Sequence, residues 1–193
     1  RLQNELFAAD QRPWIEIEAV VPDGDLIWWL DDRICRINVG LVVKNCGKTV
    51  ATDVNTKIKC GIGGFACLEE LTALKRIGWP IDPHIDGAPI FPNQQKAFRH
   101  GINTEPGAID AEAERFFAGF KQPPEDAWHC DLHISITFYV YVSYRSLFSE
   151  KLHQTSAIYN IHRKDILKIG PFFGNVAKID LQFERDAFGD AAD

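Results

Sequence analysis

The longest regular pattern in the chain is a run of thirteen residues, 132–144, in which apolar and polar side chains alternate. The apolar positions are Leu132, Ile134, Ile136, Phe138, Val140, Val142 and Tyr144, and the positions between them are His133, Ser135, Thr137, Tyr139, Tyr141 and Ser143. Successive side chains of a β-strand point to opposite faces of its sheet, whereas a helix repeats every 3.6 residues. The run therefore predicts a long strand with one dry face and one wet face.

Shorter runs bring the predicted total to about seven strands. Alternating runs lie at 15–21, 35–43, 52–60, 155–161 and 177–183, and a short aromatic strand is predicted at 26–30. Alternation of this kind is typical of antiparallel sheets, and two such sheets bury their dry faces against each other. We therefore predict a mainly β chain that folds as an antiparallel two-layer immunoglobulin-like β-sandwich. The strands at 35–43 and 52–60 flank a turn at 45–48 and are predicted to pair as a hairpin.

Residues 61–128 interrupt the β pattern and predict a two-helix insertion. Cys67, Leu68, Leu71, Leu74 and Ile77 follow helical spacing, and a second helix is predicted from about Ile109 to Phe120. The predicted organisation is the end of an upstream helix or a linker at 1–12, a single sandwich domain at 13–185, and an acidic flexible tail at 186–193.

Charge and cysteine content narrow the class of protein. The formal net charge is −6, and no Lys/Arg cluster exceeds two adjacent residues, so nucleic acid is not an expected partner. The chain has five cysteines and no CxxC pair, which favours buried thiols in a reducing compartment. The alternative is a single disulfide, such as Cys35–Cys130, with three free thiols. The chain has no methionine and starts at Arg1, so we expect an upstream segment.

The segment Val43-Lys44-Asn45-Cys46-Gly47-Lys48-Thr49-Val50-Ala51-Thr52-Asp53-Val54 carries a resemblance. With the Arg12-Pro13-Trp14 opening and the Tyr144–Thr155 region, it resembles uncharacterised bacterial membrane-anchored proteins that carry a soluble domain after a transmembrane helix. The resemblance spans about 20–160 and implies a membrane anchor upstream of Arg1 but no chemistry. From the residues alone, Gly47 permits a left-handed turn, Asn45 bonds its own backbone, and Ala51 is small where strands meet.

Three possible chemistries were weighed and none is predicted. Gly61–Ala66 formally matches the G-x-G-x-x-A fingerprint of dinucleotide-binding loops, and a nucleotide-binding enzyme that uses it is the alternative reading. His129 and His133 lie about 13 Å apart on a strand, too far to share a zinc ion. The serines near 143–149 form no nucleophile motif. We therefore expect no enzyme, catalytic residue, cofactor or metal site.

Adjacent Trp28 and Trp29 are the candidate partner contact. On a strand they point to opposite faces, so one of them faces water or a partner unless part of the insertion covers it. The sequence thus predicts a non-catalytic binding or interaction domain of a membrane-anchored bacterial protein of unknown function, with a protein partner or self-association through a strand edge. The cytoplasmic face of the membrane is favoured, and the periplasmic side stays open.

Overall fold

The computed structural model describes residues 12–29, 34–62, 87–104, 107–108, 111, 136–147, 149–163 and 177–192. This part of the chain forms nine strands and a short 3-10 helix, Lys178–Asp180. The strands are β1 (Ile15–Pro22), β2 (Ile27–Trp29), β3 (Ile34–Asn45), β4 (Ala51–Ile62), β5 (Ala88–Ile90), β6 (Gln95–Asn103), β7 (Ile136–Ser146), β8 (Ser149–Arg163) and β9 (Leu181–Ala192). The prediction of a mainly β, antiparallel fold is confirmed.

The strands form two antiparallel sheets. In the first sheet β3 is central: β6 pairs along one of its edges, while β1 and β2 follow each other along the opposite edge. The second sheet has the order β5-β4-β7-β8-β9. One hydrophobic core contains residues of both sheets, including Val39 and Leu41 of β3 and Phe138 and Val140 of β7, all without exposed surface. Burying each such side chain stabilises the fold by about 2 kcal/mol.

The predicted hairpin of strands 35–43 and 52–60 is wrong. β3 belongs to the first sheet and β4 to the second, so the turn at 46–50 carries the chain from one sheet to the other. Alternation predicts which face of a strand turns to the core, and both strands do contribute to it, since Val39 and Leu41 of β3 and Val54 of β4 are buried there. It does not record which strand lies alongside, because that is decided by backbone contacts elsewhere in the chain.

The side chain of Asn45 holds this crossing together. It is fully buried, and its Nδ2 donates hydrogen bonds to the carbonyl oxygens of Thr49 (2.7 Å) and Ile90 (3.0 Å). Its Oδ1 accepts from the backbone N–H groups of Gly47 (2.9 Å) and Trp14 (3.2 Å). The bond from Gly47 confirms the predicted contact of Asn45 with its own turn. The other bonds reach β5 and the start of β1, so one amide ties three segments.

The backbone of Asn45 fixes a second crossing, from β5 to β6. Its N–H donates to the carbonyl oxygen of Gln94 (3.1 Å), and its carbonyl accepts from the N–H of Asn93 (2.8 Å). Asn93 adopts a left-handed φ of 61°, which asparagine tolerates better than most residues. The short turn at 91–94 thereby delivers β6 to the edge of β3.

The role predicted for Gly47 is corrected. Gly47 does not adopt a positive φ. It is needed because the backbone of the segment before β1 passes directly over it: a Cβ at this position would lie 2.5 Å from the carbonyl oxygen of Arg12 and 2.7 Å from the carbonyl carbon of Pro13. Ala51, by contrast, is fully buried at the start of β4, as its small size suggested.

Segment 61–128 differs from the predicted helical insertion. Its described residues include β5 and β6, one strand for each sheet, and the two predicted helices at 67–77 and 109–120 lie outside the described residues apart from Ala111. The helical insertion therefore finds no support. The sequence does not predict β5 because this strand spans only three residues. It does not predict β6 because the face turned to the core carries the polar residues Lys96 and His100 as well as Phe98 and Ile102, so apolar and polar side chains do not alternate clearly.

Two further predictions are corrected at β7 and at the C-terminal end. The face of β7 predicted to be wet is buried, with Tyr139 and Tyr141 at 0% and 2% exposure, and Thr137 donates to Asn160 Oδ1 at 2.9 Å on that face. Residues 186–192 of the segment 186–193, predicted as an acidic flexible tail, belong to β9, and Asp186, Ala191 and Ala192 pair with β8 across a register shift. Acidic side chains are compatible with such a strand, because charge on an edge strand discourages further pairing.

Candidate binding site: the outer edge of β6 and the opening beside β4

β6 is a regular strand at the edge of the first sheet. It pairs with β3 through nine consecutive residue pairs without a register shift. Within the described ranges no strand pairs with its other side. An unbulged edge of this length is a ready template for another extended chain.

The direction of the backbone groups of β6 follows from the hydrogen bonds at its two ends. Thr104 N–H donates to Cys35 C=O (2.9 Å), and Asn45 N–H donates to Gln94 C=O (3.1 Å). Both bonds join directly opposed residues, so the even-numbered residues of β6 form the hydrogen-bonded pairs with β3. The N–H and C=O groups of the odd-numbered residues 95–103 therefore point away from β3, toward the outer edge.

The side chains at these odd positions leave the edge accessible. Gln95, Ala97, Arg99, Gly101 and Asn103 are all exposed. Native edge strands are commonly protected by proline, by a bulge or by charged side chains, lysine above all. The five outward positions carry no proline, lysine or bulge, and the charged residues of β6 are the outward Arg99 and the inward Lys96. Among the five outward positions, Arg99 is the charged residue, and its Nε atom lies 3.0 Å from the carboxylate of Asp23. This contact keeps the guanidinium group over the face of the sheet.

The even positions of β6 border a partly open side of the core. Lys96, Phe98 and His100 are half-buried, and so are Thr56 and Ile58 on the facing strand β4. Phe98 and Ile58 both pack against the central core cluster. We call these five residues the β4–β6 opening. It is lined by apolar and polar groups next to the unpaired backbone edge.

A hydrogen bond spans this opening. The Thr56 Oγ1 and His100 Nε2 atoms lie 2.9 Å apart and join the two sheets. Burial lowers the pKa of His100 below its ordinary value of 6.5, so the imidazole is neutral near pH 7. Lys96 is then the only charged member of the opening, and its Nζ lies 6.0 Å from the centre of the Phe98 ring.

The chemistry offered here is that of binding. The edge supplies backbone donors and acceptors, and the opening supplies apolar surface, a neutral hydrogen-bonded pair and one cation. Within the described part of the chain no three His, Cys, Asp or Glu side chains gather as a metal site. The free thiol of Cys35 is buried in the core, which raises its pKa to about 12 and keeps it protonated near neutral pH.

The sequence-predicted contact residues lie elsewhere. Trp28 and Trp29 belong to β2, where they pair with Cys35 and Ile34 of β3. Since β2 and β6 lie along opposite edges of β3, these tryptophans are not part of the edge that β6 presents. Their role in partner contact stays a prediction.

Most of the residues that the sequence offers for chemistry lie outside the described part of the chain. Gly61 and Ile62 end β4, whereas residues 63–66 of the glycine loop lie outside the described residues, as do His129, Cys130 and His133. β4 is antiparallel to both β5 and β7. A dinucleotide fingerprint follows a parallel strand, so this pairing does not favour the nucleotide-binding alternative.

Comparisons of the chain with protein-family models, with curated proteins and with solved structures give no significant match. Across the residues that the structure describes, no helix has the length and apolar character needed to span a bilayer. The functional conclusion therefore depends on the geometry of the site.

Proposed function

We propose that this chain is a non-catalytic interaction domain that binds an extended segment of a protein partner by strand addition at the outer edge of β6. The observation that carries the proposal is the row of outward backbone groups on residues 95, 97, 99, 101 and 103, in a strand without a register shift. An added strand saturates these groups with hydrogen bonds, and main-chain bonds of this kind supply affinity in strand-addition complexes.

We extend the proposal to an immunoglobulin-like architecture. Its support is the strand order: β1, β3 and β6 correspond to strands A, B and E of one immunoglobulin sheet, and β5, β4, β7 and β8 to C′, C, F and G of the other. The crossing between β3 and β4 corresponds to the B-to-C connection between the sheets. Immunoglobulin-like domains serve many functions, so this architecture is compatible with the binding role without specifying it.

We keep the membrane tether as a separate part of the proposal. Its support is the resemblance of the segment 43–54 to membrane-anchored bacterial proteins. Expression of the gene's full reading frame, followed by separation of the membrane and soluble fractions, tests it. Recovery of the full-length product in the soluble fraction contradicts the tether and leaves the binding role standing.

The binding role is tested with short random peptides displayed on phage and selected on the purified domain. Selected peptides are synthesised, and residue-resolved amide hydrogen exchange locates their binding site. We expect slower exchange at residues 95, 97, 99, 101 and 103 when peptide is bound. Protection at another strand, or failure to select any peptide, contradicts the proposal.

A substitution at Ala97 provides the matched test. Proline at this position removes an outward N–H without removing a β3–β6 hydrogen bond, and its ring obstructs an added strand. We expect Ala97→Pro to weaken peptide binding by more than about tenfold and Ala97→Ser to leave it within about twofold. Urea unfolding of both variants verifies that each is folded. Equal binding by folded Ala97→Pro contradicts attachment at this edge.

A further inference from the structure

We infer that the segment bound at β6 presents apolar side chains to Phe98 and Ile58 and a carboxylate to Lys96. This inference rests on the proposed function, since it assigns the chemistry of the strand that β6 accepts. The juxtaposition that supports it is the outer edge of β6 beside the β4–β6 opening.

The geometry of a sheet determines which side chains of an added strand meet this opening. A strand added beside β6 lies about 4.8 Å away, and its alternate side chains fall on the two faces of the first sheet. The inward set lies beside Lys96, Phe98, His100 and Ile102, because these residues face the core side of β6. The added strand therefore extends the inner face of the sheet over the opening.

Apolar surface in the opening selects apolar side chains. Phe98 of β6 and Ile58 of β4 are half-buried, although both pack against the core. Apolar side chains of the added strand remove this remaining surface from water, and cross-strand aromatic–aliphatic pairs are favourable. Between them, His100 is neutral and hydrogen-bonded to Thr56, so it adds no charge that a partner must balance.

The positive charge of Lys96 determines which residue of the added strand is favoured opposite it. β6 contains no Asp or Glu, and Asp53, the acid in β4, lies 4.0 Å from Arg145. Arg99, the other cation of β6, is already paired with Asp23. Opposite charges directly across two strands attract and like charges repel, so a carboxylate is favoured beside Lys96. The same rule disfavours β6 of a second copy of this chain as the added strand, because that strand contains no acidic residue to place beside Lys96.

The test uses peptides of alternating threonine and valine, in which the valines form the inward set. The valine at one end of the peptide is replaced by glutamate, glutamine or lysine. Each replacement is made once at the first inward position and once at the last, because the residue opposite Lys96 depends on whether the peptide runs parallel or antiparallel to β6. Methylation of the backbone nitrogens that face away from β6 prevents the peptides from stacking on each other. Binding is measured by titration calorimetry against the wild-type domain, Lys96→Glu and Lys151→Glu, which places the same charge change on an exposed residue of β8.

We expect the glutamate peptide to bind wild type about fivefold to tenfold more tightly than the lysine peptide, with glutamine between them. Lys96→Glu is expected to reverse this order, and Lys151→Glu to preserve it. Equal binding of all three peptides, with protection of residues 95–103 on hydrogen exchange, overturns this inference and leaves strand addition intact. No protection at β6 by any peptide overturns strand addition itself. If the odd-numbered amides of β6 are protected from hydrogen exchange without peptide, and this protection rises with protein concentration, the occupant is a second copy of the chain. That result also overturns the inference.

Discussion

The hydroxyl of Thr56 on β4 lies 2.9 Å from Nε2 of His100 on β6, and the contact joins the two sheets on the side where the core is partly open. Both residues are half-buried. The pair therefore links β4 and β6 beside the edge at which we place the binding site.

Protonation of His100 is predicted to lower stability. Burial lowers its folded pKa from 6.5, so at acidic pH the unfolded chain binds a proton more readily than the folded chain does. The stability associated with neutral His100 is fully present above pH 6.5 and is lost as pH falls through the lowered folded value. Urea unfolding of wild type and His100→Gln at about pH 5 and pH 7.5 measures this difference. We expect a smaller loss of stability at the acidic pH in His100→Gln, and equal losses contradict the role of His100.

Thr56→Val separates the hydrogen bond from the titration. This variant keeps the shape of Thr56 and the titrating imidazole but removes the hydroxyl, so it is expected to lose about 1 kcal/mol near neutral pH. Its loss of stability at acidic pH is still expected to exceed that of His100→Gln. Urea midpoints of the two variants side by side give the comparison, and an unchanged midpoint for Thr56→Val near neutral pH shows that the hydroxyl contributes nothing.

Asn45→Ala is predicted to be among the most damaging polar substitutions in the chain. It removes four hydrogen bonds at a fully buried position and leaves the carbonyls of Thr49 and Ile90 without their donor. We expect a loss of about 3 kcal/mol or more in the free energy of unfolding. The control is Asn38→Ala, an exposed position on β3, for which we expect a change within about 0.5 kcal/mol. Similar urea midpoints for the two variants contradict the role of Asn45.

Gly47→Ala tests the close approach of the backbone at the same turn. The added Cβ collides with backbone atoms of Arg12 and Pro13, which cannot rotate away as a side chain can. We expect a loss of more than about 2 kcal/mol. At Gly101 a Cβ meets only the side chains of Asn38 and Arg36 at ordinary distances, so Gly101→Ala is expected to be neutral or slightly stabilising. A neutral Gly47→Ala contradicts the packing at this corner.

The sequence predicted most of the longer strands but not their neighbours, and it missed β5 and β6. Residues 136–144 of the run predicted at 132–144 lie in β7, and the runs at 15–21, 35–43 and 52–60 correspond to β1, β3 and β4. Pairing was mispredicted because β3 and β4 are separated by contacts of Asn45 with residues far along the chain, such as Ile90. Burial of Tyr139 and Tyr141 was missed because a polar residue in an alternating strand signals a wet face even where that face is covered.

The candidate site was largely invisible in the sequence. β6 places Lys96 and His100 on its inner face, so its alternation of Phe98 and Ile102 is weak. An open edge is a property of pairing across the whole sheet, which no local pattern encodes. The sequence predicts Trp28 and Trp29 as contact residues because two adjacent tryptophans are unusual in composition. The outward positions of β6 are ordinary residues such as Ala97 and Gly101, which give no such signal.

The most direct test of the binding edge is residue-resolved amide hydrogen exchange along β6 in the free domain. The even-numbered amides from Lys96 to Ile102 donate to β3 and are expected to exchange slowly, whereas those of Ala97, Arg99 and Gly101 point outward and are expected to exchange much faster. A two-residue alternation of slow and fast exchange that is independent of protein concentration supports an accessible edge. Uniformly slow exchange from 96 to 102 contradicts it, because the outward amides would then already be hydrogen-bonded.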